Sequence, residues 1–241
     1  MKQIIKIILI AFGLVLFFNI LYSNFKMRGV WIGTSTKFLG SSIISSNESI
    51  LVFDLFAVHK DDFLKHKDSI EKRFFIKVSD YLFSKPIDGE LAEIKRKIKL
   101  SNDSLTLENG YSDFIWNYYK IPDSLKFKSN DKIELKNKFF EIKNENSTDS
   151  IFFSENIMIR KKFNDYLNKI TWNYDGYWKI VDANGFKVFL GNFSPMIVKS
   201  EKGKIKFYQF NLHSFKEIEL KEFKGDRNDI NKIIDNFNRK D

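Results

Sequence analysis

Residues 196–208 read MIVKSEKGKIKFY, which is two alternating runs on either side of Glu201-Lys202-Gly203. Alternation of apolar and polar side chains with a period of two is typical of a β-strand buried on one face. A short connection that contains Gly between two such runs indicates a hairpin. The stretch therefore predicts two antiparallel strands whose apolar side chains face a common core.

The neighbouring sequence repeats this pattern. Asp175-Gly176 separates the runs 170–174 and 177–181, and Asn184-Gly185 precedes the alternating run 186–190. Asp-Gly and Asn-Gly are the strongest short hairpin signals. Residues 215–223 alternate again. We expect five or six successive strands over ~55 residues, which suits a curling sheet.

A similar phrase recurs in the first two thirds of the chain. A turn rich in Asn, Asp and Ser precedes an apolar alternating run at 46–53, 101–107, 122–127, 129–135 and 147–153. These side chains bond their own backbone and tolerate turn geometry. Because the spacing is irregular, the pattern predicts an antiparallel meander rather than a solenoid.

Three segments show helical periodicity. Residues 61–82 and 155–168 carry apolar side chains at helical spacing, although Phe74-Phe75-Ile76 could also begin a strand. Near the end of the chain, Ile230, Ile233, Ile234 and Phe237 form an apolar stripe, with Asp226 as the N-cap. This last segment predicts an amphipathic helix that lies across the sheet.

The first 25 residues form a hydrophobic leader. Lys2 and Lys6 precede an apolar run that continues to Tyr22. Such a segment is either an uncleaved signal anchor or a signal peptide cut near residues 21–23. In the first case the protein is single-pass in the cell membrane with its body outside the cytoplasm, and in the second it is secreted or periplasmic. Lys26 and Arg28 nearly balance the front charges, so the positive-inside rule gives little guidance on orientation.

Residues 26–241 form the predicted β-rich extracytoplasmic body. A subdivision near 144–156, where Asn, Glu and Ser accumulate, is one alternative, and a single continuous sheet is the other. Hydrophobic residues make up 43% of the chain, which is enough for a packed core. The chain has no Cys, and this excludes disulfides, thiolate metal sites and thiol nucleophiles.

The net charge of +9 does not indicate nucleic-acid binding. Of the 40 basic residues only six are Arg, the side chain that grips phosphate and guanine through two parallel hydrogen bonds. The lysines alternate with apolar residues, as in Ile205-Lys206-Phe207, and this favours a solvated outer face.

Gly29-Val30-Trp31 opens the first strand after the leader. It resembles the G-x-W signature of lipocalins and lipocalin-like bacterial proteins, in which the Trp closes one end of a β-barrel. The resemblance implies an up-and-down barrel of eight strands, a C-terminal helix and an Arg near the last strand that stacks on the Trp. Arg227 is the residue that could fill this role. Trp31 as an ordinary core aromatic is the alternative.

The fold class that follows is mainly β. We expect an antiparallel meander (a barrel or sandwich, lipocalin-like) with a few helices, including the C-terminal amphipathic one, after the N-terminal hydrophobic helix.

Aromatic side chains are the candidate ligand-binding residues. Phe114, Trp116 and Tyr118 share one face of a strand-like run. With Trp31 they could line an apolar cavity, although core packing is the default interpretation.

The sequence indicates no catalytic, metal or cofactor site. His59 and His66 are two helical turns apart if the segment is a helix, too far to bind one ion, and His213 lies in a loop-like stretch. No nucleophile motif, Walker loop or dinucleotide fingerprint is present. The sequence does not decide whether the protein is an enzyme, but the missing motifs favour a non-enzymatic function.

Three hypotheses on function remain. The first is a non-enzymatic module, tethered to the membrane by its N-terminal helix, that binds a small apolar ligand or an envelope protein. The second is a structural or interaction protein, such as an assembly or immunity-type factor. The third, less favoured, is a hydrolase whose catalytic residues are dispersed in the sequence.

Overall fold

The chain consists of two β-rich units, and the boundary between them lies between Ile121 and Pro122. The alternative subdivision near 144–156 falls inside the second of these units. Lys143 and Thr148, which flank the beginning of that stretch, are direct partners in one sheet. The computed structural model describes residues 2–38, 44–47, 49–62, 71–86, 94–109, 114–127, 132–143, 148–164, 168–191, 195–211 and 214–238.

The first unit consists of a long helix followed by strands. Helix α1 spans Lys2–Met27. The strands are β1 Gly29–Phe38, β2 Ile44–Ser45, β3 Ser49–Phe53, β4 Ala57–Asp62, β5 Glu71–Val78, β6 Tyr81–Pro86, β7 Ile94–Leu100, β8 Ser104–Asn109 and β9 Phe114–Lys120.

The sheet of the first unit closes on itself. Each strand from β3 to β9 pairs antiparallel with the next, β3 pairs with β1, and β1 also pairs with β9 from Trp31↔Lys120 to Phe38↔Phe114. These eight strands make an antiparallel barrel, and β2 pairs with the far part of β1. The predicted fold class is confirmed, and the barrel is consistent with a lipocalin-like fold.

The last turn of α1 is built into one end of this barrel. Met27 and Asn24 are fully buried, and the Asn24 side-chain oxygen accepts a hydrogen bond from the Lys77 backbone N–H at 3.0 Å. The Trp31 indole N–H donates to the Met27 carbonyl at 2.8 Å, and so satisfies one of the carbonyls that a helix end leaves unpaired. Gly29, the first residue of β1, has φ +136°, a conformation that other residues rarely adopt.

The second unit forms one sheet and a terminal helix. A single 3₁₀ turn, Asp123–Leu125, precedes its strands. These are β10 Lys138–Lys143, β11 Thr148–Phe153, β12 Ile157–Asn164, β13 Lys169–Tyr177, β14 Lys179–Ala183, β15 Phe186–Leu190, β16 Met196–Glu201, β17 Lys204–Asn211 and β18 Ser214–Phe223, followed by helix α2 Asn228–Asn238.

The second sheet curls into a half-barrel. Its order is β13-β12-β11-β10-β18-β17-β16-β15-β14, so the edge strands β13 and β14 are separated in sequence by Trp178 alone. The rings of Phe153 on β11 and Phe189 on β15 lie 5.9 Å apart, although a flat sheet would hold these strands ~24 Å apart at the usual spacing. The face that carries both rings is therefore the concave one.

Both faces of this sheet are partly covered. The concave face holds a cluster that includes Phe140, Phe153 and Phe207. The opposite face packs Phe139, Phe152 and Ile159 against α2, whose Ile230 is fully buried. The Asp226 carboxylate accepts a hydrogen bond from the Asn228 N–H at 3.0 Å at the start of the helix. The predicted C-terminal amphipathic helix is confirmed, but the carbonyl that accepts its first hydrogen bond is that of Arg227, so Asp226 lies one residue before the N-cap position.

The other two predicted helices are wrong. Within 61–82 the described residues belong to β4, β5, β6 and the turn at 79–80, and within 155–168 most of them form β12. Strand β5 carries apolar side chains on both faces, Phe75 inside the barrel and Phe74 outside, and this mixed pattern imitates helical spacing. The described residues from 122 to 127 and from 132 to 135, which match two of the recurring phrases, form no strand.

Asp175-Gly176 is not a hairpin turn either. It lies within β13, where the register with β12 shifts between Met158↔Gly176 and Ile159↔Tyr174. Gly176 has φ +116°, a positive value that occurs in β-bulges as well as in turns. The turns at Asn184-Gly185 and Lys202-Gly203 do connect adjacent strands, as predicted.

The two sides of β5 give a matched test of the barrel. Phe75 is fully buried and Phe74 is 45% exposed. We expect Phe75→Ala to lower the free energy of unfolding of the first unit by about 3–5 kcal/mol, because it opens a cavity in the core. Phe74→Ala should cost less than about 1 kcal/mol. Both changes in the free energy of unfolding can be measured by hydrogen exchange of β6 and β8 peptides as a function of urea concentration, with the full chain in detergent micelles. Equal destabilisation by the two variants would contradict an inward-facing Phe75.

Candidate functional site

The four aromatic residues predicted as ligand-binding lie in the barrel of the first unit. Trp31 is fully buried and Tyr118 is 4% exposed, and both belong to the core cluster together with Phe53 and Phe75. Trp116 is half-buried against the same cluster. Side chains of the barrel wall and Met27 of α1 fill the described interior around them.

Phe114 lies near the barrel end opposite α1. Its ring stacks on Trp116 at 6.2 Å and meets Phe38 edge-on at 5.3 Å, and it is 41% exposed. The Arg96 guanidinium lies 5.3 Å from the centre of the Trp116 ring. The structure thus brings all four predicted residues into one barrel, two of them deep in its packing and two toward one end.

The cation beside Trp31 is not the one expected. Arg227 lies in the second unit, 5.6 Å from the Phe152 ring, and donates a hydrogen bond to the Asn137 carbonyl. The side chain over Trp31 is Lys120, whose ammonium nitrogen is 5.6 Å from the ring centre. Lys120 ends β9 and pairs in register with Trp31, because β9 closes the barrel against β1. The G-x-W resemblance implies an Arg at this place and so does not indicate Lys120.

The second unit contains a cavity of about 240 Å³ on its concave face. Seven strands contribute to its walls, which are mostly aliphatic side chains, Met and Phe. The lining residues are Ile142, Asp149, Ile151, Phe153, Met158, Arg160, Phe189, Met196, Phe207, Gln209 and Ile218.

The cavity has a polar end. Asp149 and Arg160 form this end, and Gln209 is the remaining polar residue of the lining. Arg160 forms ion pairs with Asp149 at 4.0 Å and with Asp175 at 2.9 Å, and Asp175 also pairs with Lys162. Two carboxylates face two cations, so this end is polar but close to neutral.

The bulge in β13 explains how Asp175 reaches Arg160. A bulge places two residues of one strand opposite one residue of its partner and redirects the side chain of the extra residue. The side chain of Asp175 is only 8% exposed, and the extra residue of the bulge lies beside the cations of β12.

The outer face of the same sheet carries a network of charges. The Lys206 ammonium lies 2.9 Å from Glu217 and 3.2 Å from Glu201, and these hydrogen bonds raise its pKa. Hydrogen bonds from Lys199 and Lys206 lower the pKa of Glu201. Burial, with a hydrogen bond to Glu217, raises the pKa of Tyr208 to about 12. Lysines that alternate with apolar residues are thus neutralised by neighbouring carboxylates on the solvent side.

Histidine chemistry is sparse in the described part of the chain. His59 lies on β4, with its Nε2 atom 3.8 Å from an Asp54 oxygen. His66 and His213 lie outside the described residues. The described residues contain no group of three or more His, Cys, Asp or Glu side chains that could hold a metal ion.

Helix α1 is the feature with the clearest relation to a membrane. Residues 3–27 are long and apolar enough to cross a bilayer, and none of the most apolar window is buried in protein. A signal sequence passes the same criteria, so the helix is consistent with either an anchor or a signal peptide.

No protein-family model, no curated protein and no solved structure matches this chain.

Proposed function

We propose that the protein is a non-enzymatic binding module, held at the membrane by α1, that takes up a small molecule in the cavity of its second unit. The observation that carries the proposal is the cavity itself, which is lined mostly by apolar side chains and has the ion-paired Asp149 and Arg160 at its polar end. Concave apolar sites with a small number of placed polar groups are the usual form of small-molecule sites.

The size and charge of the cavity define the ligand class. About 240 Å³ is slightly below the ~300–1,000 Å³ range of drug-sized sites, and this favours a small molecule or one end of a longer chain. Because Asp149 and Asp175 offset Arg160 and Lys162, a neutral polar group suits the polar end better than an ion. The ligand we propose is therefore a neutral amphipathic molecule.

The length and apolar character of α1 support its role as an anchor, because residues 3–27 are sufficient to cross a bilayer. Its last turn contributes Asn24 and Met27 to the barrel end, and Trp31 bonds the final carbonyl. We place the body outside the cytoplasm, as expected for an export signal. The alternative is release into the periplasm or medium after cleavage near residues 21–23.

The four methionines of the chain allow a direct binding test. Met158 and Met196 line the cavity, whereas Met27 lies in the first unit and serves as an internal reference. In the full chain in detergent micelles with ¹³C-methyl methionine, titration with hexanol should produce saturable NMR shifts at Met158 and Met196 but not at Met27. Hexanoate and hexylamine should bind more weakly, because an ionic head group loses its hydration at a neutral polar end.

Two isoleucine variants complete this test. Ile218→Trp fills the cavity from a half-buried position and should abolish the shifts. Ile170→Trp, at a site that is 63% exposed, should leave them intact. The absence of saturation with all three probes, or equal binding by the Ile218→Trp variant, would exclude the cavity as a binding site.

A second candidate function is binding of an envelope protein, favoured by an aromatic patch on the outside of the barrel. We define the patch by Phe56, Phe74, Tyr81 and Phe83. Phe74 stacks on Phe56 at 5.9 Å, and Tyr81 and Phe83 are each 39% exposed. Lys95 lies 4.2 Å from the Tyr81 ring centre. An apolar segment with acidic residues would match this surface.

The second candidate is tested separately from the first. If an envelope protein binds the patch, it should co-purify with the full chain in stoichiometric amount and be lost from the Phe74→Ser/Phe83→Ser variant. The cavity variant Ile218→Trp should still retain it. Retention by the Phe74→Ser/Phe83→Ser variant would rule out the patch as the contact surface.

A further inference from the structure

A basic cleft lies in the first unit where α1 meets the barrel. It has a volume of about 550 Å³ and lies between the last turns of α1, the β5–β6 turn and the end of β7. Its charged and aromatic lining residues are Tyr22, Lys26, Lys77, Asp80, Lys97 and Lys99. Four lysines against one aspartate give the lining a charge of 4 − 1 = +3.

With α1 as a membrane anchor, the part of the proposed function on which this inference rests, the cleft lies at the membrane surface. The apolar run from Ile4 to Tyr22, with Lys6 reaching back to the interface, is ~28 Å long as a helix, close to the ~30 Å of a hydrocarbon core. Lys26 is one turn further, ~6 Å beyond Tyr22, and this is the depth of the head-group layer. Tyr is typical of this boundary. The ammonium nitrogen of Lys26 lies 4.6 Å from the centre of the Tyr22 ring.

The lysines keep most of their capacity to bind an anion. Lys77 donates to the Ser79 carbonyl at 2.8 Å, which leaves two of its three donors, and Lys99 pairs with Glu108 at 2.9 Å. Lys97 forms no ion pair with any residue that the structure describes. Counting Glu108 as well, the cleft still carries 4 − 2 = +2.

We propose that this cleft binds the phosphate of an anionic lipid in the membrane that α1 spans. Lysine ammonium groups are effective binders of phosphate as point charges. The hydroxyl of Tyr22 supplies a neutral donor at the same depth. The lipid would hold the barrel against the bilayer surface beside the point where the helix enters it.

The test uses the full chain in nanodiscs of phosphatidylcholine with phosphatidylglycerol, followed by native mass spectrometry that counts the retained lipids. Wild-type protein should retain phosphatidylglycerol in preference to phosphatidylcholine. A lysine near an anionic surface contributes about fivefold in affinity, so Lys77→Gln/Lys97→Gln should lose about 25-fold. The control Lys85→Gln/Lys95→Gln removes the same charge from exposed positions on β6 and β7 outside the cleft and should bind like wild type.

Each outcome of this experiment decides the proposal. Equal retention by the two double variants, or no preference for phosphatidylglycerol, would overturn it. Inorganic phosphate that displaces the lipid completely at equal concentration would identify a free-phosphate site instead. Lys97→Glu alone, at an exposed position, should reduce retention in the same direction, so the test does not depend on the folding of the Lys77 variant.

Discussion

The structure of the first unit depends on the pairing of β1 with β9. A strand at the edge of a sheet exposes a row of unpaired N–H and C=O groups, and closure removes both edges at once. Here β1 has partners on either side, β3 and β9, and so becomes an interior strand of a closed barrel. The same closure places Lys120 over Trp31 and brings Tyr118 beside Gly33 in the register.

Closure also determines how the hydrophobic helix is joined to the barrel. Since β1 begins two residues after α1 ends, the last helical turn must lie at the mouth of the barrel. Met27 fills that end and the Trp31 indole bonds its carbonyl. A change in α1 is therefore expected to reach the barrel core through Met27 and Trp31. In the proposed membrane anchorage, the lysines around this junction lie at the depth of lipid head groups.

The second unit is also an antiparallel sheet, but its sheet does not close into a barrel. Its edge strands β13 and β14 are brought together by the chain at Trp178 but do not pair in the sheet order. The curled sheet leaves a cavity on its concave face, whereas α2 covers part of the other face. Under the proposed function, the filled barrel serves attachment and the half-barrel, with its cavity, serves binding.

Much of this architecture could be predicted from sequence, because period-two alternation and turn residues act locally. The hairpin at Lys202-Gly203, α1 and α2 are examples. Prediction failed where one local pattern is compatible with two structures. Gly176 was expected in a hairpin turn and lies in a β-bulge, and the pair Phe74-Phe75 fits a strand as well as a helix. The cavity could not be predicted, since its lining comes from seven strands that only the curled sheet brings together. Trp31, Phe114, Trp116 and Tyr118 remain predicted ligand residues, and their packing in the barrel is what the structure adds.

The closure of the barrel can be measured directly by disulfide trapping, because the chain has no Cys of its own. Lys37 on β1 and Ile115 on β9 are register partners 78 positions apart in sequence. With cysteines at both positions, mild oxidation of the full chain in membranes should form an intramolecular disulfide, because side chains of directly paired residues are within its reach. The pair Lys37→Cys/Lys99→Cys, with the second residue on β7, should not form one. Failure of the 37/115 pair to cross-link, or equal cross-linking of the 37/99 pair, would contradict a closed barrel.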